Sequence, residues 1–209
     1  MCYNFTVSLW SGIAIFSIAL YLYQRNQLYD RYLAIFLMAG GSMQFLEAYI
    51  WRNLKDPYNP TYIYILLALQ LPILLATSYY YAPKDSFLRQ PIWIGLFTIL
   101  VFLFTLHYLR LIMQSKKASV QIGPNGHMSW HIWPYAFHPM ELIYYLIIFC
   151  FFAPYLHSKR ILLIMIATFG FLMYAMIRYG VTMEWGSMWC WIINSIVPLV
   201  IAKLVLSRA

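Results

Sequence analysis

The chain has very little charge and few acidic side chains. Only 10% of its 209 residues are charged, and Asp and Glu together number six, whereas 63% of the residues are hydrophobic. Soluble domains carry about 25% charged residues, so this composition excludes a soluble protein. We interpret the chain as a polytopic membrane protein with a single domain, residues 1–209.

The chain also lacks the short motifs that identify common metal sites. Neither HExxH nor CxxC occurs, so no zinc-binding spacing is present. The first apolar run lacks the basic start and the A-x-A-like site of a cleavable signal peptide, and we interpret it as a transmembrane span.

Seven apolar runs are long enough, at about 20 residues each, to cross a bilayer as helices. They lie at residues 5–23, 32–51, 62–82, 91–113, 135–155, 160–179 and 187–206. The predicted fold is therefore all-α, a bundle of seven transmembrane helices.

The basic residues sit at the helix ends, singly or in pairs, where they anchor a helix in the interface. This placement excludes nucleic acid as a partner despite the net charge of +8. With the N-terminus outside, eight basic residues face inward (Arg25, Arg31, Lys84, Arg89, Lys159, Arg160, Lys203 and Arg208) and six face outward (Arg52, Lys55, Arg110, Lys116, Lys117 and Arg178). The inner excess favours an N-terminus outside.

Two windows of the chain match each other at an offset of 126 residues. Phe45–Arg52 matches Phe171–Arg178, and Pro72–Ala76 matches Pro198–Ala202, with five identities in all. A common offset is typical of a parallel repeat of three helices, one linker helix and three helices, the plan of sugar-exporter-like transporters. Helix 1 and helix 5 show no match at this offset.

The segment 115–134 is predicted to form an outer hairpin. Ala118–Ile122 and His127–Trp130 can pair across Gly123–Gly126, because Gly and Asn supply turn conformations and Pro presets φ. Trp130, Ile132 and Trp133 would expose a large apolar area in water. We therefore expect this loop to fold over the mouth of the bundle as a lid.

Titratable side chains are concentrated toward the outer face. In the predicted topology the outer third holds Glu47, Glu141 and Glu184, together with His107, His127, His131 and His138. Polar groups inside a membrane are costly unless they have partners, so each is a candidate site residue.

One buried site is predicted to bring together Glu47, His138 and Glu141, with His107 as a fourth member. Helix 2 rises to the outer face and helix 5 descends from it, which puts the four at matching depth. Gln70 and Asn194 near mid-membrane complete the predicted ligand-binding set.

Three kinds of chemistry fit this set. Glu47, His107, His138 and Glu141 are candidate metal ligands for a membrane-embedded hydrolase. Alternatively, the two Glu side chains flank a ligand amine or carry protons, with aromatic residues supplying cation–π contacts. In the third interpretation the Glu and His side chains pair with outer arginines and only hold the helices together. Neither a catalytic residue nor a cofactor is assigned.

Cys2 and Cys190 lie at the outer ends of helices 1 and 7, which are neighbours in a closed ring of seven helices. An oxidising face favours their pairing, so a disulfide between them is predicted.

Four motifs carry a resemblance to a known family: Met1-Cys2, QFLE at 44–47, NGHMSW at 125–130 and GSMWCW at 186–191. Together they resemble a family of small seven-helix membrane proteins found in large DNA viruses and some microbes. That family has no assigned activity, so the resemblance implies topology and a viral origin but no catalytic residue.

Two other membrane families are disfavoured. A microbial rhodopsin requires a Schiff-base lysine well inside helix 7 and an intramembrane Asp as its counter-ion, whereas Lys203 lies too near the end of helix 7 and no such Asp is present. The paired-His helix motif of alkaline ceramidase-like hydrolases does not occur. We expect the protein to bind or transport a small or amphipathic ligand, in preference to hydrolysis or to a structural role in a membrane or virion.

Overall fold

The computed structural model of this protein describes most of the first two thirds of the chain and parts of the remainder. The described residues are 4–27, 30–81, 84, 86–114, 118–132, 143–144, 146–148, 166, 169–170 and 173–184.

Four long helices make up most of the described chain. They are α1 (Phe5–Arg25), α2 (Asp30–Arg52), α3 (Asn59–Tyr81) and α4 (Pro91–Met113). Each is long and apolar enough to cross a membrane. Four such helices are typical of an all-α, multi-pass membrane protein. They match the first four predicted spans to within three residues at every end. Residues 143–144, 146–148 and 173–179 are also helical, but the last three predicted spans lie largely outside the described residues.

Side-chain and backbone contacts connect the end of α1 to the start of α2. Asn26 ends α1 in the left-handed conformation, with φ of 49°, and its N–H donates to the carbonyl of Leu22. The carboxylate of Asp30 accepts two bonds from the guanidinium of Arg25, at 2.7 and 2.8 Å. It also accepts the N–H of Gln27 at 2.9 Å. These contacts hold the two helices antiparallel at this end.

Glycines allow α1 and α2 to pack closely along their length. A Cβ at Gly41 would lie 2.5 Å from Cγ2 of Ile15, and one at Gly12 would lie 3.0 Å from the ring of Phe45. At the far end, the guanidinium of Arg52 stacks 3.7 Å over the ring of Phe5. We refer to this second end of the bundle as the hairpin end, because the β-hairpin lies there.

The predicted hairpin is confirmed. Strands β1 (Ser119–Ile122) and β2 (Met128–His131) pair antiparallel, with Ile122 opposite Met128. Both strands begin one residue later than predicted, and β2 ends one residue later, at His131. The later start of β2 arises because His127 belongs to the turn, where the N–H of Gly123 donates to its carbonyl at 2.7 Å. Gly126 adopts a φ of +77°, which a glycine accepts without strain.

The hairpin packs on the helices through its apolar side chains. Trp130 and Ile132 are only 2% and 3% exposed, as the lid prediction requires. The hydroxyl of Tyr64 in α3 donates to the carbonyl of Ile132. Trp133, the third side chain of that prediction, lies outside the described residues.

Candidate functional site

Glu47 lies on a fully buried polar face of α2. Gly40, Gln44 and Glu47 are four and three residues apart and therefore share one side of the helix. Neither Gln44 nor Glu47 exposes any of its surface. On the opposite side of α2, Tyr49 is 43% exposed and Met38 is partly exposed.

This face points in a third direction, away from α1 and α3, the two described helices that pack on α2. Gly41 and Phe45 lie against α1, and Ala39 faces α3. The Gly40–Glu47 face is between these two directions, toward the interior of the bundle. Glu47 is five residues before Arg52, which places it about 7 Å below the hairpin end of the helix. The predicted burial and depth of Glu47 agree with this position.

Gln70 joins three parts of the chain near the middle of α3. Its Nε2 donates to the carbonyl of Ala39 in α2 at 3.0 Å. Its Oε1 accepts the hydroxyl of Tyr144 at 2.7 Å. The side chain is 2% exposed. Gln70 was predicted as a ligand-binding residue, and in this structure its amide bridges protein groups at both ends.

Replacing Gln70 with Leu is expected to lower the free energy of unfolding by about 1–2 kcal/mol, because both bridges are lost and buried polar partners remain. Thermal unfolding of the purified protein in detergent measures this loss. Gln24→Leu is the matched control, since Gln24 is exposed on α1 and should leave the melting temperature unchanged. Equal melting temperatures for the two variants would contradict the bridging role.

An aromatic cluster surrounds Tyr144 beneath the hairpin. The ring of Tyr144 packs edge-on against Phe104 and Tyr108 of α4, at 5.9 and 5.8 Å between centroids. Tyr108 also contacts the ring of Tyr64 at 6.5 Å. His107 packs at 5.7 Å against Tyr108 and is partly exposed, so it lies at the margin of this cluster.

Three of the six predicted ligand-binding residues, His138, Glu141 and Asn194, lie outside the described residues, as do Cys2 and Cys190. The shared site and the disulfide therefore stay predictions. Within the described part of the chain, no group of three or more His, Cys, Asp or Glu side chains is placed to hold a metal ion.

Glu184 fastens the hairpin turn to the loop that follows residues 173–179. Its carboxylate accepts the N–H of Asn125 at 3.0 Å and the amide Nδ2 at 2.5 Å. The hydroxyl of Thr182 donates to it at 2.7 Å. Glu184 is wholly buried, and we call this group of contacts the Glu184 clasp.

Gly123 makes room for the clasp. A Cβ at this position would lie 2.3 Å from Oε1 of Glu184. Burial alone would raise the pKa of Glu184, but hydrogen bonds from Asn125, Thr182 and the backbone of His127 offset it, so the pKa is lowered. The carboxylate is therefore ionised at neutral pH.

Glu184 was expected among the titratable residues of the outer face, but its contacts with the hairpin turn were not predicted. The available signal was the Gly-Pro-Asn-Gly turn, whose backbone N–H groups can bind an anion. Glu184 lies in another loop at the same end of the bundle, and its carboxylate can accept these N–H groups. Sequence alone, however, does not show which two loops are in contact.

The loop at 182–183 extends the hairpin on its β2 side. The N–H of Trp130 donates to the carbonyl of Met183 at 2.9 Å. The hydroxyl of Ser129 donates to the carbonyl of Thr182 at 2.5 Å. Backbone, hydroxyl and carboxylate contacts thus all connect the hairpin to residues 182–184.

A surface groove of about 550 Å³ also lies at the hairpin end, lined by residues 51–56. Its charged members are Arg52, Lys55 and Asp56. Asp56 is already engaged, since it accepts the hydroxyl of Tyr49 and the N–H of Tyr58, both at 2.9 Å. The groove is separate from the buried face of α2.

Comparison with known proteins gives no match: no family model, no curated protein and no solved structure is similar to this chain.

Proposed function

We propose that this protein is a seven-helix integral membrane protein that binds or transports a small or amphipathic ligand. The ligand enters a pocket that opens at the hairpin end. Seven apolar runs of about 20 residues each support seven helices. The resemblance to small viral and microbial membrane proteins belongs to the same proposal. The three-plus-one-plus-three repeat belongs to the same proposal, because it gives Pro72 and Pro198 equivalent positions in two halves.

The burial of Glu47 is the observation that carries this proposal. A carboxylate with no exposed surface in a membrane helix is expensive to keep, and such groups commonly mark ligand or proton pathways. Gln44, one turn away on the same face, supplies a second polar side chain. A structural role alone does not require an acidic group at this depth, since an apolar side chain would pack there at less cost.

The ligand chemistry that fits this face best is an organic cation or a proton. A buried carboxylate gains most from a positive charge. The aromatic cluster of Tyr64, Phe104, Tyr108 and Tyr144 offers apolar and cation–π contact at the same end of the bundle. His138 and Glu141 are proposed to face Glu47 from the fifth helix and to complete the pocket with His107.

Titration calorimetry with tetraphenylphosphonium, an amphipathic organic cation, tests the proposal on purified protein in lipid nanodiscs. Empty nanodiscs correct for partition into lipid. Saturable binding near one ligand per protein is expected, and counterflow in proteoliposomes would identify a carrier. Absence of saturable binding would overturn the proposal. Stoichiometric zinc in the purified protein would then favour a hydrolase, and its absence would favour a structural role.

The proposed orientation, with the N-terminus outside, has its own test. Cysteines at Asn53, between α2 and α3, and at Lys84, between α3 and α4, should lie on opposite sides of the membrane. In a variant without native cysteines, a membrane-impermeant maleimide applied to intact cells should label position 53 and not position 84. The reverse pattern would show that the N-terminus is inside.

A further inference from the structure

We propose that the β-hairpin is an acid-released lid, held closed at neutral pH by the Glu184 clasp. The inference concerns the hairpin and the loop at 182–184, and it does not depend on which ligand the bundle binds.

The hairpin is attached to this loop by bonds of two kinds. The backbone bond from Trp130 to Met183 and the hydroxyl bond from Ser129 to Thr182 each have a neutral donor and a neutral acceptor. The bonds to the Glu184 carboxylate involve a charged acceptor. Such bonds contribute about twice as much as neutral ones. The clasp is therefore the part of the attachment that protonation can remove.

A second titratable group lies under the same turn. His127 is 4% exposed, and its ring packs edge-on at 6.0 Å from the ring of Tyr179. An imidazolium at this position would lose most of its hydration when the lid is closed. Opening the lid returns His127 to water, so protonation of His127 favours the open state.

The other titratable and charged groups are His131, Tyr179 and Arg178 in the described surroundings, and the N-terminal amine, whose charge also lowers the pKa of His127. His131 contacts Ser129 at 3.0 Å and Gln121 at 2.7 Å, toward the exposed side of the hairpin. Arg178 lies 5.9 Å over the ring of Tyr179. The contribution of His131 is tested separately by a substitution on the same hairpin.

Protonation of His127 and protonation of Glu184 both favour the open lid. Burial lowers the pKa of His127 although Glu184 raises it, so closure loses stability as the pH falls below the ordinary His value of 6.5. The pKa of Glu184 is lowered, so the contribution of its carboxylate is complete above the ordinary value of 4.5 and is lost as the pH falls through the lowered pKa. Acid therefore opens the lid in two steps, first at His127 and then at Glu184.

Distances between spin labels measure this opening in the full-length protein in nanodiscs. Labels at Ile122, which is 52% exposed, and at Lys55, on the loop between α2 and α3, report the position of the hairpin relative to the helices. We expect one short distance at pH 7.5 and a longer population that grows as the pH falls to 4. Distances that stay the same from pH 7.5 to 4 would overturn the proposal.

Glu184→Gln retains the shape of the side chain and removes its charge. The open population at pH 7.5 is expected to rise at least tenfold, since hydrogen bonds to a charged acceptor are about twice as strong as those to a neutral one. His127→Phe keeps a buried aromatic ring that does not titrate, so the first step should disappear and opening should begin at lower pH. His131→Gln is the control on the same hairpin and should leave both steps in place.

Thr182→Val provides a milder test should Glu184→Gln fail to fold. It removes one donor to the carboxylate and leaves every charge in place, so the Glu184 step should move to higher pH. An unchanged Glu184 step in this variant, with size-exclusion chromatography showing folded protein, would refute the clasp as the acid-sensitive element.

Discussion

Replacing Glu47 with Gln is expected to abolish binding of the organic cation while the fold remains intact. The amide has nearly the same shape as the carboxylate, so the packing between α1, α2 and α3 is preserved. The substitution removes the carboxyl group that would pair with a bound cation, at a position with no exposed surface. At low local dielectric, a lost charge pair weakens binding far more than it would at the surface. We expect a loss of at least a hundredfold in affinity, about 2.7 kcal/mol.

The same calorimetric titration with tetraphenylphosphonium measures this effect. Asp56→Asn is the matched control, because it also removes one carboxylate charge at the hairpin end but on a partly exposed loop. The control should bind with nearly wild-type affinity. Unfolding temperatures of both variants should stay close to the wild-type value. Wild-type affinity in Glu47→Gln would show that Glu47 is not part of the site. Equal losses of affinity in both variants would show that the cation responds to the overall negative potential of this surface and not to Glu47 itself.

Replacing Gly41 with Leu is expected to produce the largest loss of stability. The Cβ atom alone would stand 2.5 Å from Cγ2 of Ile15, and that methyl group belongs to a side chain that is 1% exposed. Ile15 is β-branched and has few rotamers available in a helix, so α1 must move away from α2. Overpacking of this kind costs about 3 kcal/mol or more. Thermal unfolding in detergent should show a clear drop in melting temperature.

Gly95→Leu is the control for this substitution. A Cβ at Gly95 meets no atom within 4 Å, and the residue is exposed on α4, so the same exchange should be neutral or slightly stabilising. Gly41→Ala combined with Ile15→Ala gives a further test, because removal of the Ile15 methyl groups relieves the contact. The double variant should be more stable than the sum of the two single losses predicts. If the losses of stability in the two single variants simply add, the side chains at positions 41 and 15 do not clash.

The helices were predictable because membrane spans depend on length and hydropathy, which are local properties of the chain. The start of α3 shows the largest difference from the predicted spans. The predicted span begins at residue 62, but α3 begins at Asn59. Proline is tolerated in the first turn of a helix, where its missing N–H has no partner to lose. Composition alone does not separate a proline that ends a loop from one that begins a helix.

Within the candidate site, only the burial of Glu47 was predictable from the sequence. The position of Glu47 near the end of an apolar run was enough to predict a buried carboxylate at this depth. The partners of Gln70 were not predictable, because Ala39 and Tyr144 are 31 and 74 residues away in sequence. The contacts of the Glu184 clasp also join residues that are far apart in sequence, so they were not predictable either. Pairings between distant polar groups depend on tertiary geometry, and hydropathy carries no information about them.

The separation of Asn125 and Glu184 in sequence has a consequence for biosynthesis. The contacts of Arg25 with Asp30 span five residues and can form as soon as α2 leaves the ribosome. Asn125 must wait for Glu184, which is 59 residues further along, or about 3–12 s at roughly 5–20 residues per second. During that interval the nascent hairpin carries Trp130 without its final attachment. A ribosome stalled before codon 184 should therefore hold a protease-sensitive hairpin, which becomes resistant once translation continues.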